Sequence, residues 1–338
     1  MKKKAIVLIA LLLSVTLLLS ACLPKTQNTK RKERVKQSEA DSKILRVGYM
    51  RAPTLNPLID IAEKKDYFKQ NGVRIRKIRA QGAIQVLTKK KADVALLSLM
   101  PALSAFLDGK DVTFMAAVSD LNSMFYNTSR FAVSRLPEDQ ITSVKTVGIA
   151  DLTKNERLLI KILLKEMGIN DKLVEYKELL QETDRAAKLT GGTVDMVFIG
   201  SEKTRDTLKA KGNYTVSDAR QVLKDFYMPS GIVSTQFALR KKPQALRAFV
   251  KAIYQAIKYS NENGGELLSL LENQYHLPKP VARFMYTNFI DSKAGQDYVP
   301  RGDPAKAASA IVSVTKPDDP QRNLSQFIFK DYAEEAVK

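Results

Sequence analysis

This sequence predicts an α/β fold made of two strand–helix halves and a helical tail, on three observations. Short apolar strands alternate with helical patterns from Lys43 onward, which favours mostly parallel sheets. The segment Ala92-Asp93-Val94-Ala95-Leu96-Leu97-Ser98 is echoed by Val194-Asp195-Met196-Val197-Phe198-Ile199-Gly200, as two halves built from the same units would require. Beyond Leu239 the pattern turns helical and no clear strand follows. The 338 residues, 44% of them apolar, have room for two lobes with substantial cores.

Ile44-Leu45-Arg46-Val47-Gly48-Tyr49 reads as the first strand. Leu58, Ile61, Ala62, Lys65 and Phe68 lie near helical spacing, which predicts a helix over 58–70 stopped by Asn71-Gly72. Residues 73–78 alternate as a half-buried strand, 82–90 form a short helix, and 93–97 return as a strand. A helix over 101–107 tolerates Pro101 in its first turn, where the missing N–H costs little, and 112–118 is again a strand. In the second half 146–150 is a strand, and Thr153-Lys154-Asn155-Glu156 is a capping-box pattern that opens an amphipathic helix to Met167. A strand over 173–176, a helix over 179–189 and a strand over 194–200 follow. The tail reads as helix over 243–271, apart from 261–265, and again over 280–289 and 304–314. Such a tail would return to cover the first lobe.

The only cysteine, Cys22, ends an N-terminal segment with a distinct purpose. Lys2, Lys3 and Lys4 precede an apolar stretch from Ala5 to Leu19, and then comes Leu19-Ser20-Ala21-Cys22. A charged start, an apolar middle and small residues before a cut site describe a secretory signal. A cysteine directly after Leu-Ser-Ala resembles the bacterial lipoprotein signal, which implies a lipid on Cys22. A transmembrane anchor would need about 20 apolar residues, more than this stretch supplies. Residues 1–21 are therefore expected to be removed and 22–43 to form a basic tether, with seven Lys or Arg against Glu33, Glu39 and Asp41. The net charge of +19 falls to +16 on cleavage and to about +12 on the globular part. Charge at that level describes solubility and steering, and no nucleic-acid motif accompanies it.

Catalytic chemistry is poorly supplied. The single histidine, His276, precedes Leu277-Pro278 at a helix end, with no second imidazole or thiolate for a metal or a base. No phosphate loop or dinucleotide glycine fingerprint occurs. Arg301-Gly302-Asp303 lies between Pro300 and Pro304 and reads as a turn, and Asp318-Asp319 as solvated surface. Neither a cofactor nor a metal is expected.

Binding is better supplied. Ligands of parallel α/β sheets sit beyond the carboxyl ends of the strands, where helix N-termini present free N–H groups. Those ends here are Tyr49-Met50-Arg51, Ala80-Gln81-Gly82, Ser98-Leu99-Met100 and Ser119-Asp120 in the first half. In the second half they are Ala150-Asp151 with Thr153, and Gly200-Ser201-Glu202. Any one serine or threonine there is more simply a helix cap. Several that converge on one cleft make a site. Arg51 suits an anionic group because its planar fork holds two oxygens, and Met50, Met100, Tyr227 and Met228 would supply apolar walls.

The runs Leu45-Arg46-Val47-Gly48-Tyr49 and Ile61-Ala62-Glu63-Lys64-Lys65-Asp66-Tyr67-Phe68-Lys69-Gln70-Asn71-Gly72-Val73, with Lys91-Ala92-Asp93-Val94-Ala95 and Met100-Pro101-Ala102-Leu103, carry a resemblance. They are similar to the aliphatic-sulfonate, nitrate and thiamine-precursor group of ABC-transporter substrate-binding proteins. The resemblance is specific over 44–118 and looser over 145–260. It implies a two-lobed, type II periplasmic-binding-protein-like clamp, with lobe 1 formed by 44–131 and 235–338 and lobe 2 by 132–234. Crossovers near 131–133 and 235–237 would be its hinges. It further implies a monomeric, lipid-anchored extracytoplasmic receptor that captures a small solute, sulfonate-like or pyrimidine-like, and hands it to an ABC permease. The implied solute-facing set is Tyr49, Met50, Arg51, Gln81, Gly82, Ser98, Met100, Ser119, Asp120, Thr153, Ser201 and Tyr227. Relatives place Ser-Gly where this chain has Gln81-Gly82, and a tryptophan in the second-lobe pocket where this chain has none. Glu202 near the cleft would repel a sulfonate unless it turns outward or pairs with Arg51. An enzyme on the same scaffold and a receptor not coupled to transport are the competing readings.

Overall fold

The computed structural model describes residues 43–50, 55–79, 81–120, 128–150, 154–223, 228–291, 304–315, 324–329 and 331–336. Expectations on the signal, the tether and Cys22, on Arg51, Asp151, Thr153 and Tyr227, and on 301–303 and 318–319 lie outside these residues. So do the side chains of Ser119 and Asp120.

Two five-stranded sheets organise the chain. The first contains β1 (Ile44–Tyr49), β2 (Arg74–Arg79), β3 (Val94–Ser98), β4 (Thr113–Asp120) and β10 (Pro229–Ser234), in the order β2-β1-β3-β10-β4. The second contains β5 (Phe131–Ser134), β6 (Thr146–Ile149), β7 (Glu175–Glu178), β8 (Met196–Ile199) and β9 (Thr215–Asp218), in the order β7-β6-β8-β5-β9. Each sheet is mixed. β1 and β3 pair in parallel, as do β6 and β8, whereas β10 runs antiparallel to β3 and β4, and β5 antiparallel to β8 and β9. The expectation of mostly parallel sheets holds apart from these two strands, one in each sheet, which enter from the opposite lobe and run against their neighbours.

The expected 234/235 boundary also moves. β10 hydrogen-bonds with β3 and β4 along its length, so the chain is back in the first sheet by Pro229. Thr235, expected near a crossover, follows that return directly. Its hydroxyl accepts from the Ala238 N–H at 3.0 Å and caps α9 (Gln236–Lys241) inside the first lobe. The expected helix over 58–70 is broken into α1 (Asn56–Lys64) and α2 (Tyr67–Gln70), because Asp66 adopts a left-handed φ of 59°.

Further helices are α3 (Ala83–Thr88), α4 (Leu99–Leu107), α5 (Lys154–Glu166), α6 (Glu182–Thr190), α7 (Glu202–Lys211) and α8 (Ala219–Val222). The tail carries α10 (Pro243–Glu262), α11 (Gly264–Asn273), α12 (Lys279–Asp291), α13 (Pro304–Thr315) and α14 (Asp331–Ala336). Apolar burial ties them to three cores. α1, α2 and α10 cover one face of the first sheet, where the rings of Phe68 and Phe249 stack at 5.4 Å. α6 and α7 cover one face of the second sheet around Phe131, Val197 and Leu208. The third core is shared: Leu97, Phe114 and Ala117 of the first lobe join Val147, Phe198 and Leu163 of the second. α13 packs on both α4 and α5, so the tail covers more than the first lobe alone.

Matching the two strand orders position by position pairs β3 with β8, β1 with β6 and β10 with β5, and this explains the sequence echo. Asp93 and Asp195 stand just before the central strands. Asp93 Oδ2 accepts the Arg46 backbone N–H at 2.9 Å, and Asp195 Oδ2 accepts those of Lys145 and Thr146 at 3.0 Å. Each also takes a guanidinium, from Arg46 at 2.6 Å and Arg135 at 2.7 Å. Ser234 and Ser134 then bond the carbonyls of Asp93 and Asp195 at 2.8 and 3.1 Å. The repeated aspartate is a clasp between neighbouring strands.

Candidate functional site

The carboxyl ends of β1 and β3 open on the side where the chain leaves β4 and re-enters at β10, since Asp120 pairs with Pro229 and Ser98 with Ser230. In the second sheet Ile199 pairs with Phe131, and Phe131 with Asp218, so the same side carries both crossings there too. A site between the lobes would draw on these strand ends, which the topology brings to one side.

On the first lobe the predicted residues divide. The Tyr49 hydroxyl donates to Asp60 Oδ2 at 2.8 Å and lies 3.2 Å from the Tyr275 hydroxyl, which donates to the same carboxylate at 2.6 Å. Lys77 Nζ holds Asp60 Oδ1 at 2.8 Å and sits 4.7 Å above the Tyr49 ring. Burial pushes the Tyr49 and Tyr275 hydroxyls up from their ordinary values, so both stay protonated donors. Tyr49 is thus tied to α1. Met50 and Met100 are half-buried against the shared core, Gln81 is exposed and Ser98 half-buried. Gly82 has φ −142°, which any residue adopts, and only the Gln85 side chain crowds a Cβ there. Ser98, Ser230 and Ser119 stand in register across β3, β10 and β4. Sequence reading missed Ser230, because its membership of this sheet is a long-range pairing.

On the second lobe Ser201 acts as a cap, its hydroxyl accepting the Thr204 N–H at 3.2 Å. Glu202 does turn outward, being 59% exposed, and its partner is Arg130 at 2.5 Å. Arg130 also holds Asp218 at 3.2 Å and lies 4.5 Å over the Phe131 ring. A further polar cluster was not legible in the sequence. Glu182 Oε2 accepts the N–H groups of Gly200 at 2.9 Å and Ser201 at 3.3 Å. Arg185, 2% exposed, donates to the carbonyls of Leu179 (2.7 Å), Leu180 (3.1 Å) and Thr128 (3.4 Å). Ser129 donates to Glu156 Oε1 at 2.6 Å. Burial draws the Arg185 guanidinium below its usual range, against the opposing pull of Glu182 and Glu156. A polar residue one turn into α6 and one turn into α5, aligned with the β8 end, would have been the only signal.

A cavity of about 740 Å³ lies elsewhere, between Phe106, Lys110, Asp111, Gln236, Arg240 and Gln326. It opens at the amino end of β4, away from the strand ends. His276 follows α11 with φ 54° and is exposed. Among the described residues no cluster of His, Cys, Asp and Glu could hold a metal, and no helix is long and apolar enough to cross a membrane.

Comparison with known proteins gives both family and fold. The family described as NMT1/THI5 like matches residues 57–266. No curated protein matches by sequence. Among solved structures, the periplasmic sulfonate-binding protein SsuA of Methylobacillus flagellatus KT superposes with a TM-score of 0.61 at 15% identity, over 87% of this chain and 94% of its own. The periplasmic aliphatic sulphonate binding protein SsuA of Escherichia coli does so at 0.55 and 14%, over 85% and 92%. The periplasmic nitrate-binding protein NrtA of Synechocystis PCC 6803 reaches 0.50 and 15%, over 87% and 88%. At these identities the likeness is one of fold, and that fold is the two-lobed periplasmic-binding-protein-like α/β architecture.

Proposed function

The chain belongs to the NMT1/THI5-like family, and on that footing we propose that it is the solute-binding receptor of an ABC importer, held at the extracytoplasmic face of the membrane by a lipid on Cys22. The observation that carries this reading is the matched topology of two sheets whose strand ends share one side with both crossings. Binding at such ends adds contacts to both lobes together and shifts the population toward a closed form. A permease recognises that form. The solute would be small, sulfonate-like or pyrimidine-like, and met by the strand-end residues named above, with Met50 and Met100 as adaptable apolar walls. No covalent step is required.

A thermal-shift screen against sulfonates, nitrate, pyrimidines, amino acids and small dicarboxylates tests this, followed by small-angle scattering with any hit. A true ligand raises the melting temperature by mass action and shrinks the radius of gyration. Conversion of the hit to a product would overturn the receptor reading in favour of an enzyme on this scaffold, and silence across the panel would overturn solute capture.

A further inference from the structure

Three connections meet at the amino end of the first sheet, opposite the strand ends described above: α3 to β3, α4 to β4, and β10 into α9. Hydrogen bonds tie them together. The Thr235 N–H donates to the Asp93 carbonyl at 3.3 Å, the Phe237 N–H to Asp111 Oδ2 at 3.4 Å, and Lys242 Nζ to Asp93 Oδ2 at 2.9 Å. Lys89, Lys90, Lys91, Lys110, Arg240 and Lys241 stand exposed here, and none of the six has an ion pair among the described residues. Phe237, 44% exposed, lies among them, and the cavity lined by Lys110 and Arg240 opens within the same face. We propose that this end of the first lobe docks on an anionic lipid bilayer, with the six cations on the headgroups and Phe237 in the interface.

Three observations support the assignment. First, a lysine occupies a place whose backbone suits glycine. The turns into β3 and β8 share one hydrogen-bond pattern: Lys90, Lys91 and Ala92 donate to the carbonyls of Leu87, Val86 and Val86, as Gly192, Thr193 and Val194 do to Leu189, Lys188 and Lys188. At the left-handed position the second lobe has Gly192, with φ 69°, and the first lobe has Lys90, with φ 55°. A side chain is disfavoured in that conformation. The turn itself needs no charge, since Gly191-Gly192-Thr193 makes it where the first lobe has Lys89-Lys90-Lys91. Second, the charge is one-sided. Asp93 is matched by Arg46 and Lys242, which leaves Asp108 and Asp111 against the six cations. The same end of the second sheet instead carries Glu138, Asp139, Asp171 and Glu175. Third, β1 runs parallel to β3, so the segment that carries Cys22 joins the first lobe at this end. A lipid on Cys22 would bring a bilayer to this face, and the cleft ends of β1 and β3 would point away from it. Without the lipid the contact is reversible and does not survive washing. The use of this face rests on the anchored-receptor reading, but the contact needs neither the lipid nor a solute, so the two fail separately.

Flotation of the chain from residue 22 onward, with Cys22→Ser, tests the proposal on vesicles of phosphatidylcholine with and without phosphatidylglycerol. In about 0.1 M salt, charges more than about 10 Å apart are largely screened. Binding should require phosphatidylglycerol. Lys89→Glu, Lys91→Glu, Arg240→Glu and Lys241→Glu together should weaken it about a hundredfold or more. Lys172→Glu, Lys188→Glu, Lys203→Glu and Lys209→Glu change the net charge equally on the second lobe and should weaken it about threefold or less. Equal losses in the two variants, an unchanged affinity in the first, equal binding to pure phosphatidylcholine, or binding to neither vesicle each overturns the proposal. A second measurement keeps the charges in place and so guards against a folding defect in the variants. With Cys22 replaced the chain has no thiol, so Phe237→Cys or Leu173→Cys can carry a single polarity-sensitive dye. On anionic vesicles the dye at 237 should shift to the blue, and the dye at 173, a position 72% exposed on the second lobe, should not. Equal shifts, or none at 237, overturn docking by this face. None of these results bears on the solute panel, which decides the receptor reading.

Discussion

Asp93 and Asp195 show how one residue type closes a sheet twice. Burial pushes the Asp93 carboxyl up, but bonds from the Arg46 side chain and backbone and from Lys242 outweigh it and hold the group below the usual carboxylate range. Asp195 is lowered the same way, by Arg135, Lys145 and Thr146 against its burial. A folded value below the unfolded one means stability that is complete above the unfolded value, near pH 4, and lost as pH falls through the folded value. Asp93→Asn should cost about 3 kcal/mol at neutral pH, because Arg46 and Lys242 lose their buried charge partner. Urea titrations should show the gap between wild type and variant narrowing below pH 4. Gly231 makes a second residue-scale case. A Cβ there would lie 2.1 Å from the Ala116 carbonyl and 2.5 Å from the Phe114 ring, so only glycine lets β4 approach β10. Gly231→Ala should destabilise by about 1–3 kcal/mol, read as a lowered melting temperature.

Among the elements, α13 is the one whose role exceeds its pattern. Its periodicity predicts a helix, and residues 304–315 form one. Periodicity says nothing about what the apolar face meets. Ala307, Ala308, Ile311 and Val312 enter the core shared by both lobes, and Lys165 of α5 reaches Ser313 at 2.9 Å. Ile311→Ala should therefore cost about 2–4 kcal/mol and weaken the coupling between lobes. Wild type should unfold in one transition by circular dichroism and intrinsic fluorescence alike, whereas in the variant the two probes should separate. β10 teaches the same lesson. Its place in the first sheet was not legible, because pairing with β3 and β4 joins residues more than a hundred positions apart.

For the whole molecule, anchoring and binding are separable. The proposed lipid site at Cys22 precedes the first strand by a basic segment, so Cys22→Ser should move the protein from the membrane to the soluble fraction with solute affinity unchanged. Fractionation and calorimetry on the same preparation check both halves of that expectation. Retention of the variant on membranes would mean the basic segment alone suffices.

What the sequence determined by itself is local or compositional. The alternation of strands and helices, the echo of Asp93 in Asp195, the helical tail and the family resemblance over 44–118 follow from neighbouring side chains and short motifs, and these persist whatever the chain does elsewhere. The tertiary structure decided which sheet each returning strand joins, that α13 straddles two lobes, and that Glu202 answers to Arg130. It also decided that the end of β8 is filled by Glu182. Each of these is a choice of partner across 18 to more than a hundred residues. Such choices depend on where the two crossings deliver the chain, and no local pattern encodes that.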